Sequence, residues 1–294
     1  MDILYFDSLN EKKQHGDKAL PIELYRVSHE AQGNILPFHW HKEFEFICFI
    51  SGHAVFTVDD KQYEVKPGDC IFVNSTQVHS GLSTQENSTY YSIVFSPGLL
   101  VGDFDECRKY FDLITNNRYK VINYYDSNIQ INANIINLLS EIELELSHKS
   151  YAYELEIKSK LFSIFSMIFR NNLITEADNK TNNLHKKKQG MLKDILRYIS
   201  NNYNKKITLQ DIGHTINLSP QYACKLFKEL TNSNITTYIN NYRMQSAITL
   251  LRECDMSVTD ISMECGFESL SYFNRVFKRQ FGCTPSEYRQ KVSF

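Results

Sequence analysis

Two different spacings of hydrophobic residues follow one another along the chain. From residue 22 to about residue 95, short apolar runs alternate with polar turn residues, as in strands that are joined by tight turns. The clearest apolar runs cover residues 44–50, 54–58, 63–65 and 70–73. Many short strands at this spacing predict an antiparallel sandwich or small barrel.

After about residue 130 the apolar residues recur every three or four positions, which predicts helices. Two amphipathic helices are expected within residues 129–172, followed by an interdomain linker at residues 173–190 that is rich in Asn and Lys. Residues 191–294 are predicted to be helical. The expected fold class is therefore α+β with two domains: an antiparallel β-barrel over residues 1–128 with trailing helices, and an all-α domain over residues 191–294.

Charge separates the same two regions of the chain. The formal net charge is −2, but residues 1–185 hold 16 basic and 25 acidic side chains, whereas residues 186–294 hold 16 basic and 9 acidic ones. A basic C-terminal domain is suited to a polyanion such as nucleic acid, and an acidic N-terminal domain is not.

Composition and the N-terminal residues limit the class of protein. Hydrophobic residues at 42% and charged residues at 22% exclude a wholly disordered, collagenous or coiled-coil chain. The first ten residues include Asp2 and Asp7 and show no basic segment before an apolar run, and nowhere does an apolar run approach the roughly 20 residues of a membrane helix. We therefore expect a cytoplasmic protein.

The C-terminal domain contains an internal repeat with an offset of about 50 residues. Asp211-Ile212 matches Asp260-Ile261, and Phe227-Lys228 matches Phe277-Lys278. Each copy begins with a Ser or Thr three residues before its Asp, a pattern that caps a helix, and a second helix follows after a short turn. The repeat therefore predicts two helix-turn-helix units.

A longer helix is predicted between the two units, over residues 235–253. Nineteen residues at 1.5 Å each span roughly 28 Å, which is close to the roughly 34 Å of one DNA turn. The second helices of the two units, near residues 221–230 and 269–280, can thus face successive turns of a duplex.

These residues resemble the AraC family of bacterial transcription regulators over about the last hundred positions. The matching segments include Leu218-Ser219-Pro220-Gln221, Gly266-Phe267, Ser271-Tyr272-Phe273 and Phe281-Gly282. The resemblance implies base contacts by Gln221, Cys224 and Lys225 in the first unit and by Ser271, Asn274 and Arg275 in the second, with further DNA contacts by Lys228, Lys278 and Arg279. Gly213 and Ser262 stand where the family usually has alanine, and we expect Gly213 to loosen the first unit.

The N-terminal region resembles the first motif of the cupin barrel. Gly33, five residues, His39-x-His41, three residues, Glu45, six residues and Gly52 match that motif in type and spacing, and His79 occupies the histidine position of the second motif. The second motif is degraded at Asn74, Thr76 and Ser83. Other histidines, including His15, are expected at the surface or in turns.

Three interpretations of His39, His41, Glu45 and His79 stay open. They line a pocket for a small organic effector such as a sugar, they bind a divalent transition metal ion, or they only hydrogen-bond one another in a filled barrel. The helices of residues 129–172 likewise either pack on their own domain or form a homodimer.

The sequence thus predicts a transcription regulator that binds specific promoter DNA under the control of an effector. We expect it to be an activator that contacts RNA polymerase, and we do not expect it to be an enzyme. The alternative is a metal-dependent cupin enzyme with an appended DNA-binding domain.

Overall fold

The computed structural model describes residues 15–17, 19–101, 105–177, 183–231 and 233–292. The chain divides into two compact units, residues 1–183 and residues 184–294. The first ten residues, on which the expected absence of a signal peptide rested, lie outside the described ranges. Within those ranges, helices long and apolar enough to cross a membrane are absent.

The N-terminal unit is built from antiparallel strands and three helices, with the last three short strands following α1 or α3. The strands are β1 (Ile22–His29), β2 (Gly33–His39), β3 (Phe44–Ser51), β4 (Ala54–Val58), β5 (Lys61–Val65), β6 (Cys70–Val73), β7 (His79–Ser83), β8 (Ser88–Phe95), β9 (Tyr119–Val121), β10 (Tyr124–Tyr125) and β11 (Ile174–Glu176). The helices are α1 (Arg108–Thr115), α2 (Gln130–His148) and α3 (Tyr153–Arg170).

Two main sheets form this unit, one in the order β1-β8-β3-β6-β10 and one in the order β2-β7-β4-β5. They pack face to face, with the rings of Phe49 and Phe56 centred 6.3 Å apart across the interface. In the described ranges the two sheets are not hydrogen-bonded into one closed ring, so the predicted barrel is an open one.

Strand β3 shows why the two faces of the five-stranded sheet differ. Successive side chains of a strand point to opposite faces. Phe44 therefore packs against Phe165 of α3, with ring centroids 5.9 Å apart, while Glu45 points between the two sheets toward β7. One face of the sheet is covered by helices, and the other carries the buried carboxylate of Glu45.

Helices α2 and α3 pack on the sheet of their own unit, which is one of the two interpretations that the sequence left open. Their buried residues, among them Ile135, Leu139 and Leu161, belong to the same hydrophobic core as Phe44 and Phe46 of the sheet. The reason is that each helix has an apolar stripe facing the sheet, and burying it there removes that surface from water.

The expected linker over residues 173–190 contains regular structure. Strand β11 pairs with β9, and helix α4 (Asn183–Asn202) begins before the expected end of the linker. The sequence pattern did not predict either element, because β11 is largely exposed and the first turns of α4 carry few apolar residues. The boundary between the units, at residues 183 and 184, lies inside the expected range.

The C-terminal unit contains the two helix-turn-helix units. Its remaining helices are α5 (Leu209–Thr215), α6 (Pro220–Thr231), α7 (Ile235–Glu253), α8 (Val258–Glu264), α9 (Leu270–Phe281) and α10 (Pro285–Val292). Helices α5 and α6 form the first unit, α8 and α9 form the second, and α7 joins them over the predicted residues. Gly266, in the turn between α8 and α9, has φ +81°.

Candidate ligand site and nucleic-acid interface

The four residues of the cupin-like motif meet between the two sheets. His39 ends β2, His41 lies in the loop before β3, Glu45 is on β3 and His79 begins β7. All four are at most 3% exposed, and one ligand atom from each lies within 4.8 Å of the others. His39 and His79 face each other across the β2–β7 pair, with ring centroids 4.1 Å apart.

Backbone carbonyl groups fix the orientation of the three imidazole rings. Nδ1 of His39 lies 2.9 Å from the carbonyl oxygen of Pro37, that of His41 lies 3.2 Å from Glu43, and that of His79 lies 3.1 Å from Gln77. A carbonyl oxygen only accepts, so each Nδ1 carries the hydrogen. In the neutral ring, Nε2 is then the atom with the free lone pair.

The Nε2 atoms of His41 and His79 both face the same oxygen of Glu45, at 3.1 Å and 3.0 Å. A neutral ring that donates through Nδ1 presents a lone pair to this carboxylate, which is repulsive. A positive charge between the groups, either a proton or a metal ion, makes the contact favourable.

The pKa shifts agree with this charge pattern. Burial opposes ionisation of Glu45, but its hydrogen bonds with His41 and His79 outweigh burial and hold the pKa of Glu45 well below its usual value. Burial also opposes the charging of His41, yet the hydrogen bond with Glu45 raises its pKa. Burial and the neighbouring rings of His79 and His41 lower the pKa of His39 well below normal. The cluster thus holds an ionised carboxylate and histidines of unequal basicity.

His15 is a fourth histidine beside this cluster; of its two expected positions, surface or turn, it lies in a bend and is buried. It is 3% exposed, its Nδ1 lies 2.8 Å from the hydroxyl of Tyr25, and its ring is centred 5.8 Å from that of His41. Gly16 has φ +69°, and its N–H donates to Glu23. The sequence spacing gave no signal for His15, because it reaches the site through a turn and not along a strand.

The basic residues predicted to contact DNA lie along one face of α6 and one face of α9. The two helices have the same burial pattern over residues 221–230 and 271–280, with buried Ala223, Leu226 and Phe227 matching Phe273, Val276 and Phe277. The exposed members of the predicted set are Gln221, Lys225, Lys228, Ser271, Arg275, Lys278 and Arg279. Helices α6 and α9, called the recognition helices below, therefore each present polar and basic side chains on the face away from the core.

Cys224 and Asn274 occupy matching positions and differ from the rest of the predicted set. Both are only partly exposed, and the Oδ1 atom of Asn274 is buried with no hydrogen-bond partner in the described residues. A bidentate contact to adenine needs both the oxygen and the nitrogen of the amide. In this conformation Asn274 does not present both of them.

Gly213 has a different role from the one expected. A Cβ atom at this position would lie 2.7 Å from the carbonyl oxygen of Leu218 and 3.0 Å from the nitrogen of Pro220. The glycine therefore allows the turn to approach α5 closely, and the expectation that it loosens the unit does not take this contact into account. At the matching position, Ser262 donates to the carbonyl of Thr259.

Two side-chain contacts at the recognition helices were not foreseen. Lys188, in the expected linker, pairs with Glu229 of α6 at 2.5 Å. In the second unit, the guanidinium of Arg275 lies 5.3 Å from the ring centre of Tyr272, whose hydroxyl accepts a hydrogen bond from Asn240 of α7. Lys188 and Asn240 are both distant in sequence from the helix that each contacts, so spacing alone did not connect them.

Comparisons with known proteins agree with both regions. The family described as "AraC-like ligand binding domain" matches residues 21–165, and the family described as "Helix-turn-helix domain" matches residues 213–291. The transcriptional regulator YdeC of Bacillus subtilis (strain 168), itself described as uncharacterized, is 28% identical over 97% of each chain. The transcriptional activator RhaR of Mannheimia succiniciproducens is 25% identical over 87% of each chain. The regulatory protein PocR of Salmonella typhimurium is 32% identical over 43% of this chain and 42% of its own.

Proposed function

The chain belongs to the AraC family of DNA-binding transcription regulators with an N-terminal ligand-binding domain, and on that premise we propose how its two units work. The C-terminal unit reads promoter DNA through α6 and α9, and a ligand held by His39, His41, Glu45 and His79 controls that binding. The observation that carries the proposal is the pairing of two exposed basic recognition faces with one buried, charged cluster in the same chain.

DNA binding is tested with the full chain and duplexes selected from a random pool. We expect selection to enrich one sequence, and binding to it to weaken steeply as salt rises, because basic side chains displace counterions from phosphates. Lys228→Ala and Lys278→Ala are expected to weaken binding to all sequences alike and to flatten the salt slope. If no sequence is enriched with or without added metal ions, the reading of promoter DNA is contradicted.

The proposed ligand of the four-residue cluster is a divalent transition metal ion. Three imidazoles and one carboxylate are a donor set that suits such ions, and the carbonyl contacts of the three Nδ1 atoms resemble the outer contacts that orient metal-binding histidines. When bound, the ion supplies a positive charge between the Nε2 lone pairs and the carboxylate oxygen, which would otherwise repel one another. The burial of all four residues supports a small ligand at this point.

Metal binding is measured by calorimetry and by metal analysis after loading with Zn²⁺, Mn²⁺, Fe²⁺ or Ni²⁺. We expect the wild-type protein to bind one metal ion per chain and His41→Ala to bind none. We also expect metal loading to change the affinity for the selected DNA sequence, called the operator below, and His41→Ala to abolish that change. The matched control is His53→Ala, since His53 is exposed and distant from the cluster in the sheet. Stoichiometric binding that survives in His41→Ala would move the site elsewhere.

A small organic effector in the same domain is the second candidate, and the family description of this domain as ligand-binding favours it. That the effector is a sugar stays a prediction from the sequence. A panel of sugars, added with and without metal, is expected to contain one that shifts operator affinity. A sugar that acts only on metal-free protein would make the cluster itself an organic effector site.

We also propose that the protein activates transcription by contacting RNA polymerase, as a cytoplasmic homodimer. The relative RhaR is described as a transcriptional activator, which supports the first part. For the dimer, Leu155 and Phe162 on the outer face of α3 are 70% and 37% exposed and offer an apolar surface. Leu155→Glu is expected to shift sedimentation toward the monomer, while Leu82→Glu, at a similarly exposed leucine of β7, is not.

The enzyme alternative remains testable on the same preparations. We propose that the chain is not an enzyme, because the relatives named above that cover most of it are described as transcriptional regulators. Turnover of a small-molecule substrate by metal-loaded protein, lost in His41→Ala, would overturn this.

A further inference from the structure

The second recognition helix carries a fixed aromatic ring beside its central arginine. Tyr272 and Arg275 are three residues apart on α9, so their side chains are neighbours on the helix surface. The guanidinium carbon of Arg275 lies 5.3 Å from the ring centre. A guanidinium at this distance from a tyrosine ring is attracted to it, and its plane can stack on the ring.

Two contacts hold the ring of Tyr272 in place, and a third fixes its backbone. Its hydroxyl accepts a hydrogen bond of 2.9 Å from the side-chain amide of Asn240 on α7. Its ring is centred 6.1 Å from the ring of Phe267, which is 3% exposed. Its backbone N–H donates to the N-cap residue Ser269. The tyrosine is therefore anchored to the turn, to the connecting helix and to the start of α9.

Arg275 is left able to bind DNA by this arrangement. Its side chain is exposed, and in the described residues it makes no ion pair that would occupy its N–H donors. Stacking on a ring uses the face of the guanidinium and leaves the donors at its edge available. An arginine that is already oriented loses less side-chain entropy when it forms a bidentate contact to guanine.

The first unit has the matching tyrosine but neither the arginine nor the buried phenylalanine. Tyr222 and Lys225 occupy the equivalent positions, but lysine presents a flexible ammonium and not a planar fork. Where the second unit has buried Phe267, the first has Leu218, which is 40% exposed. The two units thus offer different chemistry to DNA from the same helix position.

We infer that Tyr272 is a positioning residue for base recognition: it holds Arg275 oriented toward a guanine, so that the second unit discriminates between base pairs more sharply than the first. This inference rests on the proposed function, in which α9 reads promoter DNA, and on the base contact by Arg275 that the family resemblance implies. The contact belongs to Arg275, and Tyr272 acts through it.

The test uses the full chain and the operator selected from random duplex. Discrimination is measured as the ratio of affinities for that operator and for operators with one base pair changed, and Arg275→Ala identifies the pair that Arg275 contacts. At that pair Tyr272→Leu is expected to lower discrimination by about two- to fivefold, as for loss of an exposed cation–ring contact. Tyr272→Phe, which keeps the ring, is expected to retain most of it.

A double-mutant comparison separates positioning from a general structural role. In the Arg275→Ala background, Tyr272→Leu is expected to cause no further loss at that base pair, because the group it orients is gone. The matched control, Tyr222→Leu, is expected to leave discrimination at that pair unchanged. Since Tyr272 is 37% exposed, Tyr272→Gln serves as a second variant if the leucine variant does not fold.

The outcomes distinguish this inference from the proposed function. Wild-type discrimination in folded Tyr272→Leu or Tyr272→Gln, or an equal loss in both arginine and alanine backgrounds, overturns the positioning role alone. No change at any base pair in Arg275→Ala removes Arg275 from base recognition and overturns the inference, whereas the proposed function is contradicted only if no duplex sequence is enriched.

Discussion

The two helix-turn-helix units have the same fold but are stabilised and charged differently. Over residues 221–230 of α6 and 271–280 of α9, the two units bury the same positions and expose the same positions. In the first unit, Lys225 and Lys228 are followed by Glu229, which pairs with Lys188. In the second, Arg275 and Lys278 are followed by Arg279, and Arg275 lies against a tyrosine ring. Duplication has kept the core and changed the surface.

The difference shows which part of a helix-turn-helix unit is free to vary. Apolar positions must keep their spacing because each helix has one face to bury. Exposed positions carry no such constraint, so one unit can be more cationic than the other. We expect the second unit to contribute more of the electrostatic attraction to DNA, since that attraction scales with the phosphates neutralised.

The largest expected effect tests whether the two cores are equivalent. Phe227 and Phe277 are both fully buried, and replacing either with alanine is expected to cost about 3–5 kcal/mol of unfolding free energy. Phe277 contacts three further rings, those of Phe273, Phe281 and Tyr288, so the loss there is expected to be at least as large. Urea denaturation followed by circular dichroism measures both.

The N-terminal unit provides an internal control for that experiment. Trp40 is the single tryptophan and lies in the N-terminal unit, so its fluorescence reports on that unit alone. We expect its denaturation midpoint to stay unchanged in both variants. A wild-type unfolding free energy in Phe227→Ala, with the second unit weakened by Phe277→Ala, would show that the cores are not equivalent.

Much of this architecture followed from periodicity. The runs at 54–58 and 70–73 are strands β4 and β6, and the helix expected over 235–253 is α7 with the same bounds. The motif spacing that linked His39, His41, Glu45 and His79 also corresponds to one cluster. Regular elements and motifs carried on paired strands leave a regular trace in the sequence, because side-chain direction follows from position along the strand.

The features that were missed depend on contacts between distant segments. His15 reaches the cluster through a turn, Lys188 reaches Glu229 across 41 residues, and Asn240 reaches Tyr272 from another helix. Their spacing has no period, so no pattern in one sequence could reveal them. The expectation for Gly213 left out a contact for the same reason: helix propensity describes the isolated helix, whereas the close approach at this glycine comes from the turn packed against it.

The next largest expected effect compares the stability lost by substitution at Gly213 and at the matching Ser262. Gly213→Ala is expected to destabilise the C-terminal unit by about 1–3 kcal/mol, since its Cβ would meet backbone atoms that must move. Ser262→Ala, at the matching position, removes only one hydrogen bond and is expected to cost about 1 kcal/mol or less. Thermal unfolding of both variants gives the comparison. A stabilised Gly213→Ala would show instead that helix propensity dominates at this site.

The smallest expected effect concerns the helix caps. Thr208 accepts from the N–H of Asp211 and Ser257 accepts from that of Asp260, so each alanine variant is expected to lose about 1 kcal/mol of unfolding free energy.

In the first unit, the hydrogen bonds from Thr208 also lower the pKa of Asp211. A carboxyl whose pKa is depressed in the folded state stabilises that state above its unfolded pKa and loses the contribution as pH falls through the folded value. Thr208→Ala should therefore weaken the unit most at neutral pH and progressively less below about pH 4, the range in which an unfolded aspartate becomes protonated. Denaturation of Thr208→Ala and wild-type protein across this range measures the difference, and a gap that is constant with pH would show that Thr208 acts on the helix without acting on the charge of Asp211.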